Sequence, residues 1–542
     1  MGTDEEELQR CVRRVLDSPS KRKLVVAGPV TGKTTLFKQL LQGCAGDADD
    51  RLVLTFISTL RDDLDTSLAN LAQVRTLHSY CMGLLHSKAE LRTGLSPEFR
   101  CIPGLAHLIA ADWEHIHETE APRFVGQMRN LTDDNELSFY IARGNYYDAV
   151  DFDDSVFRAQ QGLAANPQHV DPFALLLIDE YQDFNALEAG LIEALSARSP
   201  ILIAGDDDQA LYSQLRDSTW DYIRALRKQG DFDVFELPFC MRCPKVIVDA
   251  VNDVFTQAKR RKSLSGRIEK PYKHFPPAKG ADSQQYPTIA LVNTSVQRAN
   301  GNYMGMYVAD LISRIPPEEV QAAREGNYPA LLVIVAKPYR TQIVNYLLAQ
   351  GYTVETKRDA DRKLERAEGL AILKADRRAN VGWRIVLQSE HATLRADVIS
   401  RSAKMDKRVD ELVSAPVRDR IEAEVEAWEP QGVDPEAPPA ANTDQPVVRV
   451  TSFEGAKGLS AQHVVIAGMH NGEIPHDYQN IADIEICRFL VGLTRTRKRC
   501  YLLYTDRFAQ TRKYPSAFLS WIAKDRFQFV RIDAKYWKNT KS

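Results

Sequence analysis

Short apolar runs recur along the chain and alternate with stretches in which apolar residues return at helical spacing. The runs that are long enough for buried strands are 52-LVLTF-56, 174-ALLLI-178, 201-ILIAG-205, 331-LLVIVA-336, 463-HVVIAG-468 and 500-CYLLY-504. Apolar runs separated by helical segments are typical of parallel strands that helices cover on both faces. The pattern therefore predicts an α/β fold with parallel sheets.

Two segments interrupt this alternation. Residues 86–170 are acidic and aromatic, as in 133-DDNELSFY-140, and carry no strand-like run. Residues 355–446 begin with charged helical stretches and end in 430-PQGVDPEAPPAANTDQP-446, where proline is too frequent for a helix or a central strand. The sequence predicts a mostly helical first insertion and a second insertion that ends in a linker returning to the sheet.

Composition narrows the class of protein only slightly. The 542 residues suffice for several domains, and the formal net charge of −3 means that a nucleic acid would have to meet a local basic surface. For the basic cluster 259-KRRKSLSGRIEKPYK-273, a solvated surface and contact with phosphates are both open. The cysteines lack a full set of metal ligands, and no apolar run suits a signal or a membrane span, so a reduced cytoplasmic protein without a membrane partner is expected.

The stretch 24-LVVAGPVTGKTTLFKQLL-41 predicts a buried strand, a polar turn and a helix. The N–H groups of such a turn and the N-terminus of the following helix favour phosphate. Lys33 would supply a cation to the phosphates, and the hydroxyl of Thr34 would bind Mg²⁺. Because Ala27 replaces the first glycine of the strict P-loop pattern, this stretch alone leaves nucleotide use open.

Acidic residues follow two of the predicted strands. The run 176-LLIDEYQDF-184 ends in Asp179, which suits Mg²⁺, and Glu180, which suits activation of a water molecule, although paired acids also serve as helix caps. The run 201-ILIAGDDDQALYS-213 ends in three aspartates and Gln209, which suits contact with a γ-phosphate or the attacking water. Together with the upstream loop, these strand ends favour hydrolysis of a nucleoside triphosphate.

The order of these motifs resembles that of the UvrD-like superfamily 1A DNA helicases, which bind ATP between two RecA-like domains. The Walker A loop, the Walker B motif and motif III of that family are similar to 27-AGPVTGKT-34, 179-DEYQD-183 and 205-GDDDQALY-212. Motifs Ia, Ib, IV, V and VI are similar to 54-LTF-56, 76-TLHSY-80, 242-RCP-244, 456-AKGL-459 and 491-VGLTRTRKR-499. The resemblance extends over nearly the whole chain.

The resemblance implies a fold of two RecA-like P-loop NTPase domains with parallel sheets. It assigns 1–85 and 171–235 to domain 1A, 86–170 to a helical 1B-like insertion, 236–354 and 447–542 to domain 2A, and 355–446 to a reduced 2B-like insertion with its Pro-rich linker.

The resemblance also implies roles for individual residues. The catalytic set is Lys33, Glu180, Gln209, Arg242 and Arg495, with both arginines reaching the γ-phosphate across the cleft. The ATP-binding set is Ala27, Gly28, Gly32, Lys33, Thr34, Thr35, Asp179 and Gly458, of which Thr34 and Asp179 also bind Mg²⁺. The residues expected to face nucleic acid are Phe56, Thr76, His78, Ser79, Tyr212 and Lys337.

Several positions depart from the family pattern around the base and the sugar. Met241 and Thr35 replace an aromatic residue and an arginine that hold adenine in the family, and Gln9 is a distant candidate for an upstream glutamine. In motif V, Ser460 and Glu454 replace a ribose-binding glutamate and a histidine. These departures predict relaxed nucleotide selectivity.

Another departure concerns the grip on the nucleic-acid strand. Gln214 takes the place of an aromatic residue on which a base stacks in the family, and Tyr212 and Trp220 are the candidate substitutes. A base–aromatic stack contributes about 1–3 kcal/mol per base. The sequence therefore predicts modest unwinding of duplexes.

The favoured interpretation is an ATP- and Mg²⁺-dependent translocase that single-stranded DNA stimulates and that moves 3′ to 5′ on single-stranded DNA or on a duplex with a single-stranded tail. The alternative is a regulatory subunit that senses nucleotide and nucleic acid and licenses a partner protein, such as a nuclease in repair or phage defence. A small-molecule P-loop kinase is a weaker third interpretation, because it explains neither 205-GDDDQALY-212 nor 491-VGLTR-495.

Overall fold

The computed structural model describes residues 3–55, 68, 70–132, 135–294, 303–356, 364–429, 447–508, 511–533 and 536–537. A six-stranded parallel sheet is built from β1 (Arg22–Ala27), β2 (Arg51–Thr55), β3 (Gln73–Thr76), β4 (Leu175–Ile178), β5 (Ile201–Gly205) and β6 (Asp233–Leu237). Its strand order is β3–β2–β4–β5–β1–β6. The strands that end in the predicted site residues, β1, β4 and β5, are therefore neighbours.

A second parallel sheet has seven strands. These are β7 (Ile289–Asn293), β8 (Leu331–Val335), β9 (Val354–Thr356), β10 (Val448–Thr451), β11 (Ala461–Ala467), β12 (Thr496–Tyr504) and β13 (Phe527–Arg531), in the order β9–β10–β8–β11–β12–β7–β13. All residues of β8 and β11 are buried, which explains the continuous apolar sequence of β8 and the apolar run of β11 from Val464 onward, after the buried Gln462 and His463. The predicted α/β class with parallel sheets is confirmed.

Helices flank both sheets and fill the two insertions. In and around the first sheet they span Asp4–Leu16, Lys33–Gly43, Leu77–Ser87, Ala186–Ser196, Ser213–Arg216 and Asp221–Gln229, and in the first insertion Leu105–His117, Phe124–Asn130, Asn135–Tyr147 and Phe152–Ala165. Around the second sheet they span Lys245–Arg260, Pro276–Gln285, Tyr303–Ser313, Pro317–Glu325, Lys337–Ala349, Phe453–Ala456 and Asp483–Thr494, and in the second insertion Arg366–Ala375, Asn380–Leu387, Ala392–Arg401, Val409–Leu412 and Ala415–Ala427. Within the described ranges, no helix has the length and apolar character needed to cross a bilayer.

Two strands cross boundaries that the sequence predicts. Strand β6 continues to Leu237, past the predicted domain boundary at 235, because it pairs with β1 from Asp233 to Leu237. Strand β9 begins at Val354 and pairs with β10 through Thr356, past the boundary at 354. Each of these strands belongs whole to its sheet.

A buried ion cluster joins the two insertions. Asp112, on the first insertion, is fully buried and accepts hydrogen bonds from Arg143 Nε at 2.7 Å and from Arg384 Nε, on the second insertion, at 2.8 Å. Arg143 also donates to the carbonyl and the hydroxyl oxygen of Ser402 at 2.8 and 2.6 Å. The second insertion is thus fixed to the first by polar groups that water does not reach.

Replacing Asp112 by Asn should lower the free energy of unfolding by about 3–5 kcal/mol, because two buried guanidiniums lose their shared counter-ion. Urea denaturation followed by circular dichroism measures the change. The matched control is Asp397→Asn, which removes an exposed carboxylate paired with Arg401 and should cost less than about 1 kcal/mol. Equal losses in the two variants would contradict the role of the buried cluster.

Candidate active site

The loop between β1 and the helix Lys33–Gly43 has the shape of a phosphate-binding turn. Gly32 precedes the helix in the left-handed region with a φ of +92°, a conformation that favours glycine. The hydroxyl of Thr31 donates to the carbonyl of Gly28 at 3.0 Å and closes the turn. A Cβ on Gly28 would lie 2.8 Å from the ring of Tyr272, so a side chain there would displace this ring from the loop. The helix therefore begins directly after a tightly packed turn. Its first N–H groups, which cannot bond within the helix, are available to a phosphate.

The other loop residues predicted to bind ATP lie at the ends of these two elements. Ala27 is the buried last residue of β1, and Thr34 and Thr35 are exposed on the first turn of the helix. Gln9, the candidate for the upstream glutamine, is exposed on the first helix. The hydroxyl of Thr34 and the carboxylate of Asp179, an oxygen donor set, suit Mg²⁺.

Lys33 meets the two acidic residues that follow β4. Its Nζ lies 3.1 Å from Oε1 of Glu180 and 3.8 Å from Oδ1 of Asp179, and all three side chains are nearly buried. Burial opposes the charge on Glu180, but the ammonium groups of Lys33 and Lys457 outweigh it and lower the pKa of Glu180 to about 2. Burial dominates at Asp179 and raises its pKa to about 6. Glu180 is therefore the stronger acid of the pair and stays ionised at a pH low enough to protonate Asp179.

The backbone and a neighbouring amide hold Glu180 in place. Its φ of +54° is in the left-handed region, an uncommon conformation for a residue with a side chain and one that is typical of functional sites. The side-chain amide of Gln182 donates to Oε2 of Glu180, and its Oε1 accepts a hydrogen bond from the N–H of Asp206 at 2.9 Å. Gln182 thus ties the end of β4 to the end of β5, a role that the sequence did not reveal.

Gln209 and Arg495 connect the two sheets directly. The Nε2 of Gln209 donates to Oδ2 of Asp206 at 2.7 Å, and its Oε1 accepts a hydrogen bond from Nη2 of Arg495 at 2.8 Å. Burial and the positive charge of Arg242 lower the pKa of Arg495 to about 10. Near these arginines, the N–H of Met241 donates to the carbonyl of Val30 at 2.9 Å, which places motif IV against the phosphate loop.

Lys457 is a further buried cation between the sheets. Its Nζ forms an ion pair with Asp183 and donates to the backbone carbonyl of Gln209, and its side chain is 2% exposed. Burial raises the pKa of Asp183 to about 6 despite this ammonium. Gly458 follows with a φ of +80°. The motif around Lys457 is recognisable in the sequence, but its partners are not, because they are far away along the chain.

Replacing Lys457 by Met should lower ATP turnover at least tenfold, because removing one partner of a buried ion pair costs about 3–5 kcal/mol and this pair joins the two domains. Steady-state hydrolysis at saturating ATP measures the loss. The exposed Lys524 provides the matched control, and Lys524→Met should hydrolyse ATP at the wild-type rate. Equal turnover in both variants would show that the interdomain pair does not support catalysis.

The three aspartates after β5 form ion pairs with lysine and arginine side chains of the protein. Asp206, Asp207 and Asp208 are the one group of three potential metal ligands found within the described ranges. The ammonium of Lys270 lies 2.8, 2.8 and 2.6 Å from their carboxylates, and Arg267 pairs with Asp208 at 2.7 Å. Arg224 pairs with Asp207 as well. The group is therefore an ion cluster that connects the end of β5 to the basic segment 259–273, which supplies Arg267 and Lys270 to it.

The predicted nucleic-acid residues of motif Ib lie at the start of the helix Leu77–Ser87. Thr76 caps this helix, accepting a hydrogen bond from the N–H of Ser79 at 3.1 Å, and the hydroxyl of Ser79 donates to the carbonyl of Thr76 at 3.0 Å. The ring of His78 packs against Phe152 with a centroid separation of 5.4 Å. Burial lowers the pKa of His78 to about 4, so its ring is neutral at pH 7. Phe56 lies outside the described residues.

The other two predicted nucleic-acid residues are in different environments. Tyr212 donates its hydroxyl to the carbonyl of Glu454 at 3.1 Å, and the ammonium of Lys457 lies 5.4 Å from the centre of its ring. Lys337 is exposed at the first position of the helix Lys337–Ala349. Tyr212 is thus part of the interdomain contact, whereas Lys337 faces solvent.

Comparison with known proteins gives matches of low identity. A family model described as an AAA domain matches residues 12–214. The ATP-dependent DNA helicase Rep of Buchnera aphidicola subsp. Baizongia pistaciae is 26% identical over 230 residues, which are 35% of this chain and 34% of that protein. UvrD1 of Mycobacterium leprae is 25% identical over 291 residues (43% and 37%), and PcrA of Staphylococcus aureus Mu50 is 23% identical over 283 residues (44% and 38%), both described as ATP-dependent DNA helicases. The matches thus span between 34% and 38% of the length of these relatives.

The two parallel sheets and the loop that ends β1 define a P-loop protein with two RecA-like domains. Within that class, the comparisons confirm the resemblance of the chain to the UvrD-like superfamily 1A helicases.

Proposed function

We propose that this protein hydrolyses ATP with Mg²⁺, is stimulated by single-stranded DNA and moves along that strand. The observation that carries the proposal is the meeting of two groups at one cleft: the Lys33–Glu180 pair from the first sheet, and Arg495 from the second sheet bound to Gln209. Because groups for hydrolysis come from both domains, closing the cleft would bring them together, and ATP hydrolysis would be coupled to domain movement. The 3′ to 5′ direction is carried over from the resemblance.

In this proposal Lys33 leaves the carboxylate of Glu180 and pairs with a phosphate of ATP. It pairs with Glu180 in the structure, and a phosphate in the loop would compete for its ammonium. Loss of that cation would raise the pKa of Glu180 and make it a stronger base toward the attacking water, while Gln182 keeps the carboxylate in place. Phosphate binding would therefore activate the base.

Arg242 and Arg495 would stabilise the negative charge that develops on the γ-phosphate. Burial and, next to it, the charge of Arg242 lower the pKa of Arg495, and an anion between the two guanidiniums would relieve their repulsion. Mg²⁺ bound by Thr34 and Asp179 would supply charge neutralisation at the phosphates.

Gln209 and Lys457 would transmit the state of the nucleotide. Both lie where the end of β5 contacts motif V, and both would sense whether the cleft is open or closed. We place the DNA path along Phe56, Thr76, His78, Ser79, Tyr212 and Lys337. We further propose that the chain divides as the resemblance implies, with β6 and β9 kept whole.

Steady-state ATP hydrolysis with and without a single-stranded oligodeoxynucleotide tests this function. We expect stimulation of at least tenfold, and no hydrolysis by Lys33→Ala under either condition. Hydrolysis that DNA does not change would contradict the translocase.

One observation favours the regulatory subunit as a second candidate. The ring of Tyr212, which is a candidate for base stacking, is already in contact with Lys457 and Glu454 of the other domain. A protein that binds DNA without such a stack would grip the strand weakly and would act through a partner, such as a nuclease. DNA binding without DNA-stimulated hydrolysis would distinguish this candidate.

Nucleotide selectivity should be low. Met241 contacts Val30 through its backbone, and the exposed Thr35 cannot stack a planar cation on a base. Since a stacked base is worth about 1–3 kcal/mol, we expect kcat/KM for ATP and GTP to agree within about tenfold. Competition between the two nucleotides measures the ratio, and a preference for ATP above about a hundredfold would contradict the prediction.

A further inference from the structure

A cavity of about 770 Å³ lies between the two insertions, apart from the nucleotide site. One wall is the helix Leu105–His117 of the first insertion, and the other comes from residues between Leu364 and Ile399 of the second. Its size is that of pockets that bind small organic molecules. The lining is apolar at Leu108, Ala111 and Ile399, cationic at Arg384 and Arg395, and acidic at the exposed Glu114.

The ion cluster beside this cavity has an excess of positive charge. Asp112 is the carboxylate that Arg143 and Arg384 share, and the three side chains are at most 2% exposed. Arg143 has further acceptors in Ser402. Two buried guanidiniums and one buried carboxylate sum to one positive charge. In the protein interior such an uncompensated charge is costly.

Arg384 belongs to this positively charged cluster and also lines the cavity. Its Nε donates to Asp112, whereas its Nη1 is buried and has no hydrogen-bond partner in the part of the chain that the structure describes. Buried polar atoms in folded proteins nearly always have a partner, so this one calls for an acceptor. Arg395 lines the same cavity and uses its Nη1 to bond the carbonyl of Gln388 at 2.9 Å. Guanidinium groups bind carboxylates and phosphates through paired N–H donors.

We propose that this cavity binds a small organic anion whose carboxylate or phosphate group meets Arg384 and Arg395 and whose apolar body packs against Leu108, Ala111 and Ile399. On binding, the Arg384 side chain would turn so that its unbonded Nη1 meets the ligand. Because the walls belong to different insertions, the bound anion stabilises their contact. The site shares no residue with the nucleotide site, so it does not depend on the proposed function.

Isothermal titration calorimetry of the full chain tests the site with three probes of the same apolar body: 2-naphthoate, 2-naphthyl phosphate and the neutral 2-naphthamide. We expect at least one anion to bind with a stoichiometry of one and at least tenfold more tightly than the amide. The anion that binds more tightly identifies the preferred head group.

Two variants probe the two halves of the site. Ala111→Phe fills the cavity while leaving every residue of the ion cluster unchanged, and it should abolish binding of every probe. Arg384→Met leaves Asp112 paired with Arg143 and should weaken anion binding at least tenfold. The control Arg401→Met, whose side chain is about half exposed on the neighbouring helix, should bind like the wild type.

Failure of both anions to bind would overturn the proposal, as would equal affinity for the amide. Unchanged affinity in Ala111→Phe would place the probe elsewhere and would also overturn it, even if Arg384→Met did not fold.

Discussion

Replacing Glu180 by Gln should lower ATP turnover by about 10²–10⁴-fold, because the amide could not take a proton from the attacking water. Nucleotide affinity should be unchanged or slightly higher, since Lys33 loses the carboxylate that competes with phosphate for its ammonium. Steady-state hydrolysis gives turnover, and titration with a fluorescent ATP analogue gives affinity. The loss is thereby assigned to the chemical step.

The control for this variant is Glu193→Gln on the helix Ala186–Ser196, where the carboxylate is exposed. It makes the same chemical change outside the site and should hydrolyse ATP like the wild type. If Glu180→Gln kept wild-type turnover, another group would have to activate the water, and the proposed assignment would be wrong.

Replacing Arg495 by Ala should lower ATP turnover by about 10³–10⁵-fold, the range known for arginines that stabilise phosphoryl transfer. The variant also loses the hydrogen bond to Gln209, so the contact between the sheets weakens as well. Single-turnover hydrolysis at saturating protein measures the step without a contribution from product release.

Arg507→Ala removes an exposed arginine of the same domain and serves as the control. A loss of less than tenfold in Arg495→Ala would contradict the placement of its guanidinium at the γ-phosphate. Arg495→Lys, which keeps the charge but not the planar fork, should recover only part of the turnover.

Apolar runs predict β1, β2, β4 and β5 of the first sheet and β8, β11 and β12 of the second, but not the interior strands β7 and β10. Strand β8 is a continuous apolar run because it is fully buried, whereas β11 also buries Gln462 and His463. The edge strands β3, β6, β9 and β13 have polar residues among their apolar ones and do not stand out as apolar runs. An edge strand needs less apolar surface, and what fixes it is pairing with a neighbour that lies far away in the sequence.

The site could be predicted where a short motif carries the chemistry. The structure brings Lys33 together with Glu180 and Gln209 together with Arg495, as their motifs suggest, while their catalytic roles remain predictions. The roles of Lys457 and Lys270 could not be predicted, because each pairs with aspartates that lie far away in the sequence and that no local pattern links to it. Thr76 caps a helix, and its motif alone does not tell whether the residue serves this structural role or contact with DNA.

The most direct test of the translocase is ATP-driven displacement of streptavidin from single-stranded DNA that carries biotin at one end. Movement from 3′ to 5′ predicts fast displacement from the 5′ end, slow displacement from the 3′ end, and neither with Glu180→Gln. Vigorous hydrolysis of ATP without displacement from either end would contradict the account.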